Sequence, residues 1–391
     1  MNMRTAWFRG MARRRSLGAW LSIGIAGICA AAWAIYPPVA RAAVGCTLDQ
    51  ATGATISPKP LVANGWGIRW NFASNKVAFM QPNAEGYYRV VTMRPDGTDR
   101  TELTANLAGF PPGHEGPVSW YPSGKYLLMA VQKPDWPGPK LSGHRMFGSP
   151  DYGALPGFGC HDDLWVVTAD GRRCWKLTDD PNTRYQGILM PIFSPDGRHI
   201  AWSQRLASRQ YALKVADFVE TPQPHLAHIR SYLPGGLTYY EPGSFTSDGA
   251  TLLYTSDQGT RSFWESQIYR LDLATGESMR LTHDRSYNEH PIAVRTPTGD
   301  WVVYMSTTGE HRHPGRLMLG TDWWAMRLDG TGAKRLTFMN AIGGDSPLGP
   351  GRLMVACAVA PSPTGTYMLG DVQDSLVKQT GMVLVVGFTK P

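Results

Sequence analysis

The chain has 391 residues, and its 43 Gly, 30 Pro and 14 Trp beside only 18% charged residues exclude an all-helical fold, since these proportions suit short strands, tight turns and aromatic cores. The formal net charge of +7 arises almost wholly in residues 1–42, which hold six arginines and no acid. The remainder is close to neutral, so it lacks the concentrated positive face that binding a nucleic acid requires.

In chain order, Arg4, Arg9 and Arg13 to Arg15 precede an apolar stretch over residues 17–36, followed by Pro37-Pro38 and Ala40-Arg41-Ala42. This pattern reads as a signal peptide cleaved after Ala42, with an uncleaved membrane anchor over residues 17–36 as the alternative. Both place the bulk of the protein in the periplasm or outside the cell. In such an oxidising compartment Cys46, Cys160, Cys174 and Cys357 are enough for two disulfides, whose pairing the spacing leaves open. No C-x-x-C pair occurs, which argues against a structural zinc site.

From residue 70 onward one unit recurs six times. Its clearest copy is Phe193-Ser194-Pro195-Asp196-Gly197-Arg198-His199-Ile200-Ala201-Trp202, with relatives at Trp120, Phe245 and Arg295 and weaker copies at Trp70 and Pro361. Each predicts an apolar strand, a turn whose glycine supplies a positive φ, and a second strand. A second hairpin follows most copies, over Tyr88 to Leu103, Leu164 to Leu177, Ile268 to Leu281 and Trp324 to Leu336, and each of these ends in Leu-Thr. Two hairpins per repeat predict an all-β fold, a six-bladed β-propeller of four-stranded antiparallel blades, as a single domain over residues 43–391. The last blade lacks an outer strand, whereas Leu48 to Gly53 copies Leu271 to Gly276. The segment Leu48 to Ser57 is therefore expected to close the ring and remove its exposed edges.

The Pro-x-Gly hairpins and the Asp-Gly-x-x-x-x-Leu-Thr endings resemble the PD40 (WD40-like) repeats of TolB-like propellers. That resemblance implies the fold and a binding or scaffolding role for an envelope protein or saccharide ligand. It leaves out the extra N-terminal domain of TolB, and no Gly-x-Ser-x-Gly elbow of the peptidases that pair with similar propellers occurs. The alternative is a saccharide-acting lyase or hydrolase, since oligogalacturonate lyases use a similar propeller with a histidine-bound metal.

Strand order puts the tight turns on one face and the long connections on the other, which is where binding usually resides. His114, His144, His161, His283, His290, His311 and His313 fall on that loop face. His114, Glu115, Tyr240, Glu241, Glu289 and His290 stand at matching repeat offsets just before the inner strands and are expected to converge on the channel mouth. Imidazole beside carboxylate suits a divalent metal or a general acid/base pair. Trp165, Trp264, Trp323 and Trp324 are expected to pack between blades rather than stack on sugars.

Overall fold

The computed structural model describes residues 45–390, apart from 136–156, 182, 184, 310–319, 342–343, 345, 348–352 and 374–380. The basic, apolar segment expected to direct export lies outside the described residues, as do His144, His311 and His313. Among the described residues no helix is long and apolar enough to cross a membrane.

Strand β1 (Gly53–Ile56) precedes the first blade, built from β2 (Trp66–Asn71), β3 (Lys76–Pro82), β4 (Tyr88–Met93) and β5 (Thr101–Glu102). Blade two comprises β6 (Glu115–Trp120), β7 (Tyr126–Gln132), β8 (Asp162–Thr168) and β9 (Cys174–Lys176), and blade three β10 (Gly187–Phe193), β11 (His199–Ala207), β12 (Gln210–Val219) and β13 (His225–Tyr232). In blade four the order is β14 (Tyr240–Phe245), β15 (Thr251–Ser256), β16 (Gln267–Asp272) and β17 (Ser278–Arg280). Blade five holds β18 (Asn288–Thr296), β19 (Gly299–Ser306), β20 (Asp322–Arg327) and β21 (Lys334–Arg335), and blade six β22 (Val355–Pro361), β23 (Tyr367–Gln373) and β24 (Gly381–Thr389). Each blade is a four-stranded antiparallel meander, and in the sixth β1 supplies the outer strand, in the order β1-β24-β23-β22.

The repeated turn has a local cause. In Ser194-Pro195-Asp196-Gly197 the Ser194 hydroxyl donates to Asp196 Oδ1 at 2.6 Å, and the same oxygen accepts the Arg198 N–H at 3.0 Å. Gly197 then takes φ +72°, and a Cβ there would stand 2.5 Å from the Tyr121 ring of the preceding blade. Only glycine meets both demands. Thr246-Ser247-Asp248-Gly249 repeats the bonds with a threonine hydroxyl at 2.6 Å.

The Leu-Thr endings have an equally specific cause. Each leucine donates its N–H across to the third strand, Leu177 to Leu164 O at 2.7 Å, Leu281 to Ile268 O at 2.8 Å and Leu336 to Trp323 O at 2.8 Å. The threonine hydroxyl next to it accepts the N–H of that same third-strand residue, at 2.9 Å for Leu164, 2.9 Å for Ile268 and 3.1 Å for Trp323. Both orphan groups at the end of the short outer strand are thereby satisfied.

Blades bury their faces only against neighbours. Trp323 is fully buried between blades five and six and donates Nε1–H to Cys357 O at 3.0 Å. Trp165 and Trp324 lie partly buried against neighbouring core clusters. Cys46, Cys160, Cys174 and Cys357 are all free thiols.

Candidate functional site

All six inner strands break register at the same step. The pairing jumps between Trp66 and Arg69, Glu115 and Val118, Leu189 and Ile192, Pro242 and Ser244, Glu289 and Ile292, and Ala356 and Val359. A bulge of this kind re-aims the side chains beside it. Counted from the bulge, Glu115, Glu241 and Glu289 occupy one equivalent position and Gly67, Gly116, Met190, Pro242, His290 and Cys357 the next. Glu115, Tyr240, Glu241, Glu289 and His290 thus lie at the starts of the inner strands themselves, and His114 directly before β6.

Blades four and five use this step to build a charged cluster. Gly243 brings β14 so close to β18 that a Cβ on it would lie 2.0 Å from Pro291 O. His290 sits in its bulge at φ +54°, a left-handed conformation costly for a non-glycine residue. That backbone turns the imidazole toward blade four, with Nε2 2.8 Å from Glu241 Oε1 and 3.9 Å from Glu289 Oε2. The other carboxylate oxygens face a shared donor. The Tyr239 hydroxyl contacts Glu241 Oε2 closely and reaches Glu289 Oε1 at 3.1 Å.

Electrostatics follow from burial. Glu289 is pushed up to about 7, first by burial and then by the Glu241 charge, against the opposing pull of His290 and the hydroxyls of Tyr287 and Tyr239. Burial pulls His290 down, but the Glu289 and Glu241 carboxylates outweigh it and hold the imidazolium to about 9. Burial with the two carboxylate charges likewise raises Tyr239 well above the ordinary phenol range, so it remains a donor.

Three further residues extend the cluster across the channel. Arg69, half-buried on β2, is lowered by burial and held up by Asp371 and Glu241. Asp371 on β23 is fully buried, accepts the Gly67 N–H at 2.9 Å and is raised to about 6, chiefly by burial. The Cys357 thiol is raised well above its ordinary value by burial, with Asp371, Glu289 and Glu241 adding to it. Sequence offsets pointed to none of the three, although Cys357 occupies the same bulge position as His290.

His114, Glu115 and Tyr240 do not join them. Glu115 turns into the seam with blade one, where Arg89 Nη1 donates at 2.8 Å, the Thr104 hydroxyl at 2.5 Å and the Val90 N–H at 3.0 Å. Blade one lacks the usual threonine bond because Glu115 intercepts both partners. The His114 Nδ1 accepts the Tyr88 N–H at 3.0 Å, and the Tyr240 hydroxyl donates to Gly236 O at 2.7 Å. These three side chains tie the loop face together. His161 lies buried with Nε2 3.3 Å from Asp135, and His283 is exposed.

Exchanging Glu115→Gln should therefore cost about 1–3 kcal/mol of folding stability through a weakened Arg89 contact, and leave any ligand affinity of the channel unchanged. Denaturant melts paired with a binding isotherm check this. A stable variant with lost binding would move Glu115 back into the site.

Trp264 departs from its expected packing role. It sits in a short 3₁₀ turn, Phe263–Glu265, between β15 and β16, and is 38% exposed. Its ring lies 5.8 Å from Tyr287, which bonds Glu289, and Phe263 packs between Tyr239 and Tyr287 at 4.9 and 5.5 Å. An exposed indole is thus linked through Tyr287 to the buried Glu289, on the face where the inner strands begin.

No family model matches the chain. Among curated proteins, tricorn protease homolog 1 of Streptomyces coelicolor is 28% identical over 157 residues, a stretch that covers 38% of this chain and only 13% of that protein. Among solved structures, TolB from Acinetobacter baumannii gives a TM-score of 0.46 at 16% identity, covering 82% of this chain and 65% of its own. A putative TolB from Agrobacterium tumefaciens gives 0.48 at 14% identity, with 83% and 90% covered, and tricorn protease 0.41 at 11%, with 82% and 28% covered. The fold rests on the six blades described above, and the chain is similar to these propellers in architecture while its channel has to speak for its ligand.

Proposed function

We propose that the chain is an exported, envelope-side binding propeller that takes a saccharide ligand at the channel mouth formed by blades four and five. The observation carrying this reading is the exposed Trp264 ring, which packs on Tyr287, the residue that hydrogen-bonds Glu289 of the Glu241, Glu289 and His290 cluster. An indole face offers an apolar platform to a sugar ring, and buried carboxylates and an imidazolium hydrogen-bond its hydroxyls with directional strength. Intrinsic fluorescence during titration with neutral, acidic and amino-sugar oligosaccharides tests it. Saturable quenching that Trp264→Phe removes and Glu289→Gln weakens at least tenfold is the expected outcome. Absence of saturation with every class, alongside retained binding of an envelope protein, would replace the saccharide by a protein ligand.

A second reading has its own observation. Two carboxyl groups stand within 4.8 Å of one another, with Glu289 pushed up to about 7 by burial and the Glu241 charge, so that both its protonated and charged forms are present near neutrality. Such a pair suits general acid catalysis of glycosidic cleavage. Scoring the same oligosaccharides for new reducing ends or unsaturated products distinguishes hydrolysis or lyase action from binding alone.

A further inference from the structure

Taking this mouth as the binding site, we propose that Glu241 Oε1, Glu289 Oε2 and His290 Nε2 are the protein ligands of a divalent ion of the zinc or manganese class, resident at the sugar-binding position. Three observations carry it. The ligand atoms lie within 4.8 Å of one another. The imidazole nitrogen is 2.8 Å from one carboxylate oxygen and 3.9 Å from the other. These separations bracket the roughly 3.4 Å edge of a tetrahedron whose bonds are about 2.1 Å long.

Orientation is the second observation. Tyr239 contacts the far oxygen of each carboxylate, Glu241 Oε2 and Glu289 Oε1, which leaves the near oxygens turned toward His290. Such outer donors are what metal-binding carboxylates ordinarily have. Glu241 is buried, and apart from the imidazole at 2.8 Å nothing else hydrogen-bonds its Oε1 among the described residues.

Charge is the third. Among the described residues, Asp371, fully buried with one oxygen lacking a partner, brings the carboxylates of the cluster to three, against the fixed cation Arg69. A doubly charged ion beside a neutral imidazole balances that set. Mixed oxygen and nitrogen ligation favours zinc or manganese over magnesium or calcium. Three protein ligands leave positions open for sugar hydroxyls or water.

Isothermal titration of chelator-stripped, untagged protein with zinc chloride and manganese chloride alone, without saccharide, tests the ion. One equivalent should bind, with affinity falling at least tenfold in His290→Gln and Glu241→Gln and several-fold in Tyr239→Phe. His228→Gln serves as the control, because His199, Asp217 and His228 form a separate surface cluster with contacts of 3.1 and 2.7 Å. Binding that survives His290→Gln and vanishes in His228→Gln, or no binding at all, overturns the proposal. Should the channel variants misfold, anomalous diffraction from zinc-soaked wild-type crystals decides. A peak about 2.0–2.1 Å from His290 Nε2 supports the site, and a peak elsewhere or none overturns it. An ion that binds while every saccharide fails would remove the sugar reading and keep the metal, whereas saccharide binding without metal removes the ion alone.

Discussion

A chain beginning at Pro58 is expected to melt about 10 °C or more below the intact protein and to aggregate on heating. Deletion removes the outer strand of blade six, whose pairs run from Gly53 with Thr389 to Ile56 with Val386. It also removes Leu48 and Ala51, which are buried among Trp301, Leu336 and Phe388. Burial of these two side chains contributes on the order of 3 kcal/mol, the lost hydrogen bonds of the strand add to it, and a domain of this size shifts by roughly 2 °C or more per kcal/mol. The same segment knits two blades. Lys334 Nζ of blade five donates to Leu48 O at 2.7 Å and Ala51 O at 2.6 Å, while Ala54 N–H reaches Leu336 O at 2.8 Å. Without it β24 becomes a bare edge open to other chains. Cooperative melting at an unchanged temperature would show that the ring does not depend on this strand.

Chelator-treated protein should lose stability steadily as pH rises from about 5 to 9. Asp371 is raised from 3.8 to about 6, Glu289 from 4.5 to about 7, and His290 from 6.5 to about 9. Each holds its proton more tightly folded than unfolded, so unfolding releases protons within its window and stability falls with pH there. The His290 contribution is complete below 6.5 and disappears as pH passes 9. Its size is on the order of 3 kcal/mol, from about 1.4 kcal/mol per unit, and the coupled carboxylates share part of it. Turn aspartates act oppositely at lower pH. Asp248, held low by the Thr246 hydroxyl and the Ala250 N–H, contributes stability above 3.8 that is lost on acidification. Urea melts across this range check the sign, and His290→Gln should flatten the limb between pH 6.5 and 9. Stability that is level or rising there would mean that the cluster is not coupled to folding.

Sequence periodicity carried the fold because its signals are local. A Ser or Thr two residues before Asp-Gly closes the same turn wherever it occurs, and Leu-Thr caps the same strand end in the outer hairpins of blades two, four and five. Each signal needs only one hairpin. The site depends on something else. Glu115, Glu241 and Glu289 share one register position, yet Glu115 faces Arg89 and Thr104 while the other two face His290. Register fixes where a side chain starts, and the neighbouring blade fixes where it ends. Asp371 and Arg69 were missed for that reason, since one lies on a second strand and the other beyond the bulge, with no repeated partner to mark them. Trp264 was misread because a tryptophan in a connecting turn has the same composition signal as one inside a third strand.

Closure of the ring also sets the order in which the molecule can be completed. Ser57 Oγ accepts the Val385 N–H at 3.1 Å across 328 positions of sequence. A ribosome makes β1 before all of the blades and must add five complete ones before β1 finds its partner. Until then the edge that β1 will cover does not exist, and its Leu48 has no pocket to enter. Blades one to five can stack in sequence as they emerge, because each contacts the one made just before it. The sixth assembles only when β24 arrives, so the contact that closes the ring joins strands made far apart in time.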